Sequence, residues 1–174
     1  MSTPPPMGID EVNHLDATSF AVLFGDVAEH SPWVAESAGR ARPYASRDAM
    51  IQAFVDAVMR APRADQLSLI RAHPDLAGRA AVAGELTDDS KREQAGAGLD
   101  SLTAEEFARF SDLNGLYRQQ NGFPFIFAVK GATKQQILDA FAERVKNNHA
   151  TEFAIALTQV CRIFHFRIEG RVKA

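Results

Sequence analysis

Apolar residues along this chain recur at helical rather than strand spacing. Phe20, Leu23, Phe24 and Val27 fall at i, i+3, i+4 and i+7, which predicts an amphipathic helix. Ser31-Pro32 breaks it, and Pro32 is placed to open a short second helix with Trp33 as a core anchor. Ser46 reads as the cap of a helix with the apolar face Ile51, Phe54, Val55, Val58 and Met59, ended by Pro62. A further helix over about 64–72, carrying Leu67, Leu69 and Ile70, runs straight into His73-Pro74. The small residues from Gly78 to Leu86 carry no deciding period.

Thr87-Asp88-Asp89 has the acidic first turn of a helix. Ser90, Glu93 and Gln94 follow at i, i+3, i+4 and so share one of its faces. Gly96 and Gly98 fray or end that segment. Thr103 with Glu106 is a capping box, opening a long helix with Phe107, Phe110, Leu113 and Tyr117 that stops at Asn121-Gly122. Thr133 with Gln136 is a second box, for a helix bearing Ile137, Phe141 and Val145. The last helix, about Thr151 to Gly170, is apolar on nearly every side, as buried helices are. Between these helices, residues 123–129 are apolar throughout. Pro124 and the lack of partner strands make them a buried extended connector, whose backbone polar groups must find partners. The expected fold is all-α, one domain of about seven or eight helices over residues 10–174, behind a loose proline-rich stretch at 1–9.

Composition narrows the function. The 174 residues are 46% hydrophobic, with 12 Phe, enough for a substantial core. A formal net charge of −3 gives no basic excess for nucleic acid or an anionic membrane, and leaves room for a small anionic ligand. The single cysteine, Cys161, allows no internal disulfide and reads as core filler. No apolar run approaches the ~20 residues of a membrane span. The N-terminus has no signal-peptide pattern, and Val172-Lys173-Ala174 is not a peroxisomal Ser-Lys-Leu address, so the expected location is the cytoplasm.

The histidines (His14, His30, His73, His149 and His165) show no metal-ligand spacing, and no phosphate loop, dinucleotide fingerprint or nucleophile elbow is present. The remaining chemistry is a scattered polar set. Proline at 74 pushes His73 out of the helical region at a helix end, and imidazole titrates nearest neutrality. The Ser90/Glu93/Gln94 face and the connector add hydrogen-bonding groups. On the last helix, at ~100° per residue, Arg167 flanks the apolar face while Arg162 lies nearly opposite. Each member also has an ordinary structural reading: His-Pro-Asp as a helix stop, Ser90 and Glu93 as a solvated face. Taken so, the chain would be a non-catalytic dimeric helical binding module.

Three segments in order, His73-Pro74-Asp75-Leu76, Ser90-x-x-Glu93-Gln94 and Phe123-Pro124-Phe125-Ile126-Phe127-Ala128-Val129-Lys130-Gly131, resemble the OHCU decarboxylase family over residues 14–171. OHCU is 2-oxo-4-hydroxy-4-carboxy-5-ureidoimidazoline, an unstable intermediate of urate breakdown. The resemblance implies an all-helical, cofactor-free, metal-free, usually homodimeric enzyme that makes (S)-allantoin, without nucleic-acid or membrane partners. It casts His73 as proton donor; on general grounds a nearby Glu93 would fix the ring and favour its protonated form. It casts Pro74, Ser90, Glu93 and Gln94, the backbone of Phe125, Ile126, Phe127, Ala128 and Val129, and Arg167 as substrate contacts. Ala77 departs from the family, many of whose members carry glycine after the leucine; the change is expected to be tolerated.

Overall fold

The computed structural model describes residues 5–174, without the side chain of Ala80. Every regular element in them is helical, as expected, but there are ten helices. The additional elements are short: α1 (Ile9–His14) and α6 (Arg79–Ala83) are too brief for a period to show. Backbone contacts gather the chain into two compact units, residues up to Ala72 with Cys161–Ala174, and His73–Val160.

The first unit contains α1, α2 (Ala17–Phe24), α3 (Trp33–Gly39), α4 (Arg47–Met59), α5 (Arg63–Ala72) and the end of α10 (His149–Glu169). Asp16 caps α2 by accepting from Ser19 N, and Ser46 caps α4 by accepting from Ala49 N. Its core is aromatic. Phe20 lies 5.0 Å from Phe24, 6.3 Å from Tyr44 and 6.4 Å from Phe54, and Phe54 meets Phe164 edge-on at 6.1 Å. Truncating one such ring typically costs ~3–5 kcal/mol.

Three burial expectations, for Met59, Leu23 and Trp33, are corrected here. Met59 is 56% exposed and Met50 is buried instead, because α4 starts at Arg47 and turns Met50, Ile51, Phe54 and Val58 inward. Leu23 is exposed, and Trp33 is only half-buried. The expected loose N-terminus falls partly on residues 1–4, outside the described residues. From Met7 the chain is held: Met7 N donates to Arg171 O at 2.9 Å, and Lys173 N donates to Met7 O at 2.8 Å.

The second unit contains α6, α7 (Asp88–Gly96), α8 (Ala104–Asn121), α9 (Lys134–Arg144) and α10 as far as Val160. Both capping boxes form as read, at Thr103/Glu106 and Thr133/Gln136. Gly122 ends α8 at φ 71°, a left-handed conformation that glycine adopts without penalty. Residues 124–129 have no regular structure and are buried except for half-buried Phe127. Phe125 stacks on Phe141 at 3.8 Å, and Tyr117 meets Phe123, Phe125 and Phe141 edge-on at 5.4–6.0 Å.

Candidate active site

Helix α5 stops at Ala72 because Pro74 denies His73 a helical backbone, and the chain then makes a tight turn. Gly78 N donates to Asp75 O at 3.3 Å, and a Cβ at Gly78 would stand 2.6 Å from that of Asp75, so only glycine fits. Ala77 has φ 51°, left-handed backbone that costs a residue bearing a Cβ roughly 1–2 kcal/mol. That strain supplies a physical reason for glycine at this position.

Two helices pin the segment. Asn114 Nδ2 of α8 donates to Leu76 O at 2.9 Å, and Arg118 Nε donates to both Asp75 oxygens at 2.8 and 3.0 Å. Gln94 Oε1 of α7 accepts from Ala77 N at 3.0 Å. Gln94 is therefore more than a prospective ligand contact, because it braces the turn that follows His73.

Of the predicted residues, Gln94 is joined to the His73 turn by a hydrogen bond, and the others except Arg167 lie in the same unit with differing burial. His73, Ser90 and Gln94 are about 5% exposed, while Pro74 and Glu93 are half-buried. Thr87 caps α7 through Ser90 N and fixes where Ser90 and Gln94 emerge. His73 interacts with a partner within the chain, and its Nε2 is a buried nitrogen outside any hydrogen bond among the described residues. Burying polar side chains among apolar ones costs free energy that a solvated helix face never incurs. The solvated reading of Ser90 fails on this ground.

The connector is held by residues that the sequence did not single out. Arg144 Nη1 donates to Ile126 O at 2.6 Å, and Ala128 N donates to Gln159 Oε1 at 2.9 Å. Ala132 N donates to Val129 O at 2.9 Å. The Arg144 guanidinium lies 4.3 Å from the centre of the Phe125 ring and pairs with Glu152 at 2.8 Å. Glu152 is fully buried and also accepts from Asn147 and from the Tyr117 hydroxyl. Burial first, then the Glu152 hydrogen bond, push the Tyr117 phenol far above its ordinary range, so it stays a donor. A readable signal existed: Glu152 shares a helical stripe with the apolar Ala156 and Ile163, where a carboxylate needs a buried partner.

Arg167 belongs to the first unit. It is buried there, with Nη1 2.9 Å from Glu29 Oε2 and 3.3 Å from Val27 O. Arg162 is exposed and lies over the Phe166 ring, which follows the helical angles read from sequence. Cys161 is half-buried at the margin of the core rather than within it, and burial pushes its thiol up to about 11. Among the described residues no three His, Cys, Asp or Glu side chains gather as a metal-ligand set, and no helix is long and apolar enough to cross a membrane.

The OHCU decarboxylase family model matches residues 13–169, which takes in the His73 turn, α7 and the connector. A 2-oxo-4-hydroxy-4-carboxy-5-ureidoimidazoline decarboxylase of Haloferax volcanii is 45% identical over 163 residues, covering 94% of this chain and 95% of that protein. A uric acid degradation bifunctional protein of Bacillus sp. is 40% identical over 94% of this chain, which corresponds to 32% of that longer protein. A crystal structure of (S)-allantoin synthase superposes with a TM-score of 0.79 at 31% identity, over 97% of this chain and 54% of that one. By a family match across nearly its whole length and by these relatives, the chain belongs to the OHCU decarboxylase family.

Proposed function

We propose that this chain decarboxylates OHCU in urate degradation and that His73 delivers the proton that makes the product (S)-allantoin. The observation that supports the reading is the His73 turn: a buried imidazole at a helix end, followed by a turn that Gln94 and Asn114 brace from two helices. A stereospecific proton donor needs such fixity, since a mobile ring would protonate both faces.

The chemistry balances without an added electrophile. When the bond to the carboxylate carbon breaks, CO2 leaves and the electron pair forms a carbon–carbon double bond to the neighbouring ureido-bearing carbon. The pair of that carbon's C=N bond moves onto the ring nitrogen, which takes a proton. The resulting enol then collapses. Its hydroxyl gives up a proton, the oxygen becomes a carbonyl, and the ureido-bearing carbon takes a proton from His73. One proton is consumed per CO2 released. The last step creates the stereocentre, so the face that His73 addresses decides the hand.

The remaining groups divide the binding. Ser90 and Gln94 offer polar atoms from one face of α7, and Pro74 packs beside the reacting carbon. Residues 125–129 supply backbone donors and acceptors, though Ile126 O and Ala128 N already have protein partners. The Glu93 carboxylate orients the imidazole. A positioned general acid typically contributes on the order of 10²–10⁴-fold. The resemblance extends the reading to a cytoplasmic homodimer. The experiment is the optical activity of allantoin formed from urate with and without the protein, and with His73→Asn in its place.

A further inference from the structure

The connector is a length of irregular backbone buried inside a helical unit, and each of its polar groups needs a partner. Arg144 serves Ile126 O and Gln159 serves Ala128 N, two residues apart, so the flanking positions are tied while half-buried Phe127 lies between them. Arg144 does three things at once. One nitrogen holds the Ile126 carbonyl at 2.6 Å, two others reach Glu152 at 2.8 and 3.1 Å, and the guanidinium plane covers Phe125. Lysine, a point charge with no planar fork, cannot satisfy all three. Glu152 itself is fully buried and is shared with Asn147 and Tyr117, so the arginine is locked rather than free to swing.

We infer that Arg144, locked by Glu152, is a positioning residue for substrate binding: it sets the register of the connector so that the backbone around Phe127 meets the ligand. This rests on the proposed reading of residues 125–129 as substrate contacts. Arg144 does not touch the reacting atoms, so its loss weakens binding of ground state and transition state alike, which raises KM and leaves kcat in place.

The experiment compares wild type with Arg144→Lys and Glu152→Gln at a temperature where circular dichroism shows all three folded. Two readouts are taken: steady-state kinetics on enzymatically generated OHCU, and amide hydrogen exchange across 123–129. The expected result is a KM raised about tenfold, one decade per 1.4 kcal/mol of binding, with kcat nearly unchanged and faster exchange at Ile126–Ala128. If exchange accelerates while KM holds, the clamp is structural only and the inference is overturned. A fall in kcat with KM unchanged overturns it too. An inactive wild type with the same exchange difference would instead bring down the assignment of substrate and leave the clamp standing.

Discussion

Replacing Glu29 by alanine removes the carboxylate that Arg167 Nη1 holds at 2.9 Å, where the two side chains are only 3% and 1% exposed. The guanidinium cannot shed its charge, so the variant must bury a cation that has lost the Glu29 carboxylate. Removing one partner of a buried pair typically costs ~3–5 kcal/mol. Val27 O at 3.3 Å and Asp26 O at 3.4 Å still face the same nitrogen, which favours the lower end, about 3 kcal/mol. For a chain of this size that corresponds to a melting temperature lower by roughly 6–12 °C. Urea unfolding with an unchanged slope would measure it. The neighbouring pair of Arg171 with Asp26, whose carboxylate side chain is 66% exposed, is the internal control. Asp26→Ala should cost under about 1 kcal/mol. A Glu29→Ala cost in that same small range would refute the reasoning. Replacing both members, Glu29→Leu with Arg167→Met, should recover part of the loss, because neither member of the pair is left buried without the other.

Ala77→Gly should raise stability by up to about 1 kcal/mol, because relief of the left-handed strain at φ 51° outweighs the entropy glycine adds to the unfolded chain. A lowered melting temperature would contradict that account. Glu106 is held below the ordinary carboxyl value near 4.5 by the hydrogen bond from Lys134 and then by the Thr103 N–H. A depressed pKa contributes stability that is present above the ordinary value and is lost as pH falls through the lowered one. The melting-temperature gap between wild type and Glu106→Gln should therefore be steady near neutrality and shrink in acid; a gap that widens in acid would reverse the sign.

What could be read along the chain was what neighbours in sequence decide. Thr103 and Thr133 cap their helices through residues three positions on, and Gly122 adopts the left-handed turn its place requires. Pro74 ends a helix at His73, and the all-apolar run at 123–129 lies buried without regular structure. The burial of Arg167 and exposure of Arg162 follow from helical angles alone. The unread parts depend on partners far along the chain. Glu29 meets Arg167 across 138 positions, and Asn114 meets Leu76 across 38. Arg144 shows only as one cation in a helix's last turn until Ile126 and Glu152 are placed around it. Met50 took the place expected of Met59 because an apolar period alone leaves the edge of a helix face ambiguous.

The most direct measurement is circular dichroism of the allantoin formed when urate oxidase and hydroxyisourate hydrolase generate OHCU in the presence of this protein. Wild type should give a rapid, lasting signal of the (S) hand, and His73→Asn, folded to the same degree, should leave the slow, optically silent decay seen without protein. A wild-type-like signal from His73→Asn would remove His73 as the stereospecific donor. No signal from folded wild type would contradict the decarboxylase reading itself.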